Sequence, residues 1–147
     1  MNLPDEAATL AFGAELAALV RLGDVVTLSG DLGAGKTTLA RGLLAALGLE
    51  GEAPSPTFAI VQTYAPPETR VPVAHVDLYR IEDTREAEEL GLDELSADHV
   101  LLVEWPERLG ADWWRDALKL RIEDVPEGGR RLTADVPPSW EARWSPR

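Results

Sequence analysis

The chain has 147 residues, no cysteine, and a formal charge of −12 from 14 basic and 26 acidic side chains. A single domain of this size buries about 68–70% of its unfolded surface without staples, and the lack of thiols excludes both a disulfide framework and a thiolate metal site. Nucleic acid is gripped by clustered Lys and Arg; with lysine only at Lys36 and Lys119, an independent hold on DNA or RNA is not expected, and the acidity fits solubility or steering toward a basic protein partner.

Asp5 stands where an N-cap belongs, and the Ala- and Leu-rich stretch to Arg21 reads as a mostly buried helix ended by Gly23. Leu10, Ala14, Ala17 and Arg21 line one face of it, and Phe12, Leu16, Leu19 and Val20 another. The β-branched run Asp24–Leu28 suits a strand covered on both faces. It leads into the glycine-rich Gly30–Gly35, after which Lys36–Leu47 returns to helical spacing with Gly48 as C-cap. Turn-rich Glu52–Pro56 precedes a strand over Phe58–Tyr64, broken at Pro66-Pro67. Val71–Tyr79 is a second strand, Thr84–Leu95 a short acidic helix and loop, and His99–Val103 another buried strand. Ala117–Asp124 and Arg130–Val136 flank Pro126-Glu127-Gly128-Gly129, a hairpin signal, and Trp113 and Trp114 read as packing against that hairpin.

Residues 1–136 are thus expected to form one domain, and 137–147, with Trp140 and Trp144 among polar residues, a flexible tail. The expected class is α/β in three layers, the sheet mostly parallel, with an antiparallel extension and a C-terminal hairpin. No stretch approaches about 18 apolar residues, and the N-terminus lacks the basic start and apolar run of a secretory signal. No membrane contact is expected, and a cytoplasmic location is.

Gly30-Asp31-Leu32-Gly33-Ala34-Gly35-Lys36-Thr37 matches G-x-x-x-x-G-K-[ST] without adjustment. Glycines let backbone N–H groups converge on phosphates where a Cβ would clash. The helix that follows aims its positive end at the anion. Lys36 would bridge the β- and γ-phosphates, and the Thr37 hydroxyl would ligate Mg²⁺. No N-K-x-D segment for guanine is present, so ATP is inferred by elimination.

Hydrolysis also needs a carboxylate near the metal and a group that orders water. In parallel α/β sheets such groups sit at the C-terminal ends of strands. Val73–Asp77 and Leu101–Glu104 are apolar runs that each close on an acid. Glu104 is read as functional, against an acid at a strand end facing water; Asp77 likewise, against a strand exit capped by an ion pair. Thr57, on a loop stiffened by Pro54 and Pro56, is either a γ-phosphate sensor or part of an ordinary turn. Trp105 either stacks on something flat or packs, and His75 and His99 read as core or strand histidines rather than ligands.

Gly30–Thr38, then Ser55-Pro56-Thr57-Phe58, His75-Val76-Asp77-Leu78-Tyr79-Arg80 and Glu104-Trp105-Pro106-Glu107 occur together and in this order. The set resembles the bacterial TsaE family, also called YjeE, the ATPase component of tRNA threonylcarbamoyladenosine biosynthesis. The resemblance runs from about Asp5 to Val136. It implies a cytoplasmic P-loop ATPase, weak alone, that acts with the TsaB–TsaD heterodimer and meets tRNA only through that complex. There TsaD transfers the threonylcarbamoyl group from its adenylate to an adenosine beside the anticodon, and the nucleotide cycle of TsaE resets the machine.

Carried over residue by residue, the resemblance implies that Lys36 and the loop Asp31, Leu32, Gly33, Ala34, Gly35, Thr37 and Thr38 hold the nucleotide. Thr37 and Glu104 hold Mg²⁺, Asp77 activates water, Thr57 is a switch residue, and Trp105 neighbours the nucleotide or a partner surface. Thr9 and Arg130 match positions that touch the nucleotide from the N-terminal helix and the hairpin. Lys36, Asp77 and Glu104 are thereby the catalytic set. Two other classes also fit a phosphate loop: a small-molecule kinase, whose only lid candidate is the short, mostly acidic Arg80–Arg85, and a nucleotide-dependent binding module with negligible turnover.

Overall fold

Alternation within the central strands decides the layering. In β2 (Val25–Ser29) Val26 and Leu28 face one side and Val25 the other; in β5 (Val100–Glu104) Val100 and Leu102 face the first side, Leu101 and Val103 the second. Strands that are apolar on both faces must be covered on both. The computed structural model describes residues 1–31, 35–51 and 61–144. Leu32, Gly33, Ala34 and Thr57 lie outside the described residues, as does most of the segment around Phe58.

Among the described residues one seven-stranded sheet forms, in the order β1-β7-β6-β2-β5-β4-β3. The remaining strands are β1 (Asn2–Leu3), β3 (Val61–Tyr64), β4 (Val73–Asp77), β6 (Leu118–Asp124) and β7 (Arg130–Asp135). β6, β2, β5 and β4 run parallel, while β3 on one edge and β7 with β1 on the other are antiparallel. The expected parallel centre, antiparallel extension and C-terminal hairpin are all present. The two-residue β1 was not foreseen, because so short a strand carries no period.

Helices α1 (Glu6–Ala17) and α2 (Lys36–Ala46) cover one face. Asp5 caps α1 as expected, its carboxylate accepting from the Ala8 N–H at 2.8 Å, an arrangement that typically stabilises by about 1 kcal/mol. The buried stripe is Thr9, Phe12, Gly13, Leu16 and Ala17. Leu10 and Ala14 are exposed, so α1 is half-buried rather than mostly buried. A Cβ on Gly13 would collide with the Leu39 carbonyl, and one on Gly42 with the Leu10 carbonyl. The two helices therefore cross backbone to backbone.

The opposite face is covered by α3 (Thr84–Glu89), α4 (Leu92–Asp98) and two 3₁₀ turns, Pro106–Leu109 and Ala111–Trp114. The acidic stretch is thus two short helices joined at Gly91, which takes φ 67°. Trp114 is buried in this layer with Leu109 and Ala117, its indole N–H donating to the Pro106 carbonyl at 2.8 Å. Trp113 packs beside it. Neither belongs to the cluster around the hairpin, as the sequence had suggested.

The expected flexible tail is also corrected, as far as residue 144. Helix α5 (Pro138–Glu141) puts Trp140, 1% exposed, into the α1/α2 side of the core. Arg143 holds both carboxylate oxygens of Asp24 at 2.6 and 2.7 Å, donates to the Leu19 carbonyl and stacks 4.0 Å from the Trp140 ring. Two large aromatics supply more burial than their polar neighbours oppose. Among the described residues no helix is long and apolar enough to cross a membrane.

Candidate functional site

β2, β4 and β5 end on the same edge of the sheet, and α2 starts there. Parallel registry places Asp77 beside Glu104, and His75 beside Leu102. Side chains two apart on a strand share a face, so His75, Asp77 and Glu104 point with Leu102 to the side covered by α1 and α2. Gly35 precedes α2 with φ 105°, a conformation that favours glycine.

Thr37, in the first turn of α2, donates its hydroxyl between the two oxygens of Glu104, at 3.1 Å from Oε1 and 3.4 Å from Oε2. Glu104 is 3% exposed, and a carboxylate so deep must be hydrogen-bonded. Its second partner is His75, whose Nε2 lies 2.6 Å from Oε2 and whose ring is 1% exposed. His75 had been read as a core histidine; it is in the core, but its polar contact belongs to the site. Its place two residues before Asp77 on one strand is the signal that would have found it. His99, at the opposite end of β5, bonds Asp98 and the Leu95 carbonyl and takes no part.

Lys36 is buried and donates to the Gly30 carbonyl, with the Asp31 carbonyl at 3.5 Å. Its ammonium also lies 3.6 Å from the centre of the Trp105 ring. Burial lowers its pKa from the usual 10.5, and the nearby carboxylates of Glu104, Glu107, Asp77 and Asp31 oppose that shift. Asp77 accepts the Tyr79 N–H at 2.9 Å through Oδ1. Burial raises its pKa above the ordinary 3.8; the Tyr79 N–H works against the rise and the charge of Glu104 adds to it.

Trp105 is held at φ 60° and ψ 47°, left-handed backbone that a bulky residue adopts only under constraint. Its N–H donates to the Leu28 carbonyl at 3.3 Å, and its ring meets Tyr79 at 4.9 Å. Strain of this kind costs roughly 1–3 kcal/mol and gathers at functional sites. Thr9 and Arg130 both approach Gly35: a Cβ there would lie 3.8 Å from the Thr9 methyl and 3.8 Å from the Arg130 Nε. Arg130 is paired with Asp124 at 2.6 Å. Thr38 is half-buried in the first turn of α2, and Asp31 is exposed.

The expected residues that are described thus converge on one strand-end edge. A hydroxyl and a carboxylate, both hard oxygen donors, lie within hydrogen-bond distance of each other beside the start of α2. That donor set fits Mg²⁺, which takes one or two protein oxygens and completes its octahedron with water and phosphate oxygens.

Known proteins resemble this chain over most of its length. The family described as threonylcarbamoyl adenosine biosynthesis protein TsaE matches residues 3–132. The tRNA threonylcarbamoyladenosine biosynthesis protein TsaE of Streptomyces coelicolor is 46% identical over 112 residues, 76% of each chain. The protein of that name from Bacillus subtilis is 40% identical over 131 residues, 88% of this chain and 79% of its own. The crystal structure of Bacillus subtilis YdiB superposes with a TM-score of 0.72 at 33% identity, covering 88% of this chain and 79% of that one. With a P-loop fold, a strand-end site and relatives matched over most of their length, the chain belongs to the TsaE family of tRNA threonylcarbamoyladenosine biosynthesis proteins.

Proposed function

We propose that this chain binds ATP with Mg²⁺ and hydrolyses it as the nucleotide-driven subunit of a TsaB–TsaD complex that modifies tRNA. The observation that carries this reading is the convergence of Lys36, Thr37, Asp77 and Glu104 from three separate segments on one edge of the sheet. Loop amides and Lys36 hold the phosphates, and the start of α2 adds its partial positive charge. Thr37 and Glu104 hold the cation. Mg²⁺ held there would supply positive charge against the negative charge that shifts during phosphoryl transfer.

Asp77 is the candidate to orient and deprotonate the attacking water. Its raised pKa makes it a stronger base than an ordinary exposed carboxylate. Thr9 and Arg130, which approach Gly35 from its Cβ side, are suited to contact the nucleotide outside the phosphate cradle, and Thr57 is the candidate switch residue of the same cycle. A body of net charge −12 does not favour a direct grip on tRNA, which agrees with the partners holding the nucleic acid.

The test is phosphate release from ATP by the purified chain, alone and with TsaB–TsaD, in parallel with threonylcarbamoyladenosine formation on tRNA. Hydrolysis should be slow alone and rise in the complex. Lys36→Ala should lose nucleotide binding, whereas Asp77→Ala and Glu104→Ala should bind and turn over poorly. Turnover by Asp77→Ala and Glu104→Ala equal to the parent would remove both from the catalytic set.

A further inference from the structure

We infer that His75 is a positioning residue for the metal-binding carboxylate, fixing the twist of Glu104 so that Oε1 is offered to the cation beside Thr37. The inference rests on the ATP·Mg²⁺ reading above and goes beyond it by assigning a role to a residue outside the loop motif. Thr37 cannot set that twist. Its hydroxyl lies almost midway between the two oxygens, 3.1 Å from one and 3.4 Å from the other. His75 makes the choice: Nε2 reaches Oε2 at 2.6 Å, a short contact to an ionisable acceptor.

The ring itself cannot drift. It is 1% exposed, on a β4 strand hydrogen-bonded on both edges, to β3 and β5. Nδ1 is buried with no hydrogen-bond partner among the described residues. A proton on Nε2 serves Glu104 and leaves Nδ1 as a bare acceptor; a proton on Nδ1 alone would strand a buried donor and turn the Nε2 lone pair on a carboxylate. The tautomer that donates to Glu104 is therefore the one this environment favours. Partners that orient a metal ligand in this manner are typically worth about 10–100-fold in metal affinity or activity.

Glutamine and asparagine separate positioning from packing. His75→Gln carries an amide N–H to about the place of Nε2, whereas His75→Asn reaches only to about the place of Nδ1. Calorimetry with a non-hydrolysable ATP analogue, in EDTA and in saturating Mg²⁺, gives the factor by which the metal tightens nucleotide binding. His75→Gln should keep that factor within about 3-fold of the parent, while His75→Asn lowers it about 10-fold and leaves affinity in EDTA unchanged. An undiminished factor in His75→Asn, or an equal loss in both variants, would overturn the inference. If the parent chain ignores the analogue in both conditions, the ATP reading itself fails, and that outcome is distinct from loss of metal coupling in the variants.

Discussion

The Thr37 hydroxyl in the first turn of α2 lies 3.1 Å from Oε1 of Glu104 at the end of β5, a contact between residues 67 apart in sequence. It joins the phosphate loop to the neighbouring parallel strand, and it is the point at which a dication would be held. Thr37→Val preserves shape and removes both the hydrogen bond and the proposed metal ligand. Electrostatic stabilisation by a metal is worth several kcal/mol in the transition state, so the hydrolysis rate should fall by about 100-fold or more. The folded chain should persist, read by circular dichroism. A rate within about threefold of the parent would place the metal elsewhere.

The pH dependence follows from Asp77. Burial raises its pKa above 3.8, with Glu104 adding to the rise and the Tyr79 N–H, His75 and Lys36 opposing it. Between 3.8 and the raised value the folded chain binds more protons than the unfolded one, so stability falls as pH rises through that window. The cost then persists at neutral pH. Asp77→Asn keeps an acceptor for the Tyr79 N–H and deletes the charge. Its melting temperature near pH 7 should exceed the parent's by about 1–3 °C, and the difference should close on acidification. In the parent, kcat/KM should lose its acid limb at a pH above 3.8. A variant that melts below the parent near neutral pH contradicts this account.

The crossing of α1 and α2 sets the position of Thr9 against Gly35. Gly13 and Gly42 each meet a backbone carbonyl of the opposite helix where a side chain would begin. Gly13→Ala and Gly42→Ala should each destabilise by about 1–3 kcal/mol through overpacking, even though alanine is the better helix former. Because Thr9 moves with α1, nucleotide affinity should weaken in the same variants. Thermal melts and calorimetry check both effects, and a melting temperature equal to the parent's would mean the helices tolerate separation.

The segment after β7 should be essential for stability rather than dispensable. Trp140→Ala empties a fully buried aromatic site and should cost about 3–5 kcal/mol. Arg143→Ala leaves Asp24, 12% exposed in its side chain, without its bidentate partner, and removes the cation from the Trp140 face. Both variants should lower the denaturation midpoint with nucleotide contacts intact. Truncation after Val136 without change in stability would mean that α5 merely rests on the domain.

What the sequence made legible follows from how locally each feature is encoded. The β2–loop–α2 unit was readable because glycine spacing, a β-branched strand and a helical period adjoin. Asp77 and Glu104 were readable because apolar runs end on them, and the sheet does bring them into register. His75 is harder to read, because a histidine inside an apolar strand looks the same whether it faces packing or a carboxylate 29 residues away, and only its place two residues before Asp77 marks the face it shares. The docking of Trp140 and the layer occupied by Trp114 were illegible for a similar reason: local polarity does not say which distant surface covers an aromatic ring. The left-handed backbone at Trp105 carries no sequence mark at all, since nothing but the fold holds it there.

The account stands on the segment from Gly30 to Thr37 enclosing a triphosphate. Isothermal titration of the purified chain with ATP in the presence of Mg²⁺ tests that directly. It should return saturable binding to one site per chain, abolished by Lys36→Ala while that variant remains folded. Equal heats from parent and variant, or none from the parent under conditions where it is folded, would contradict the claim.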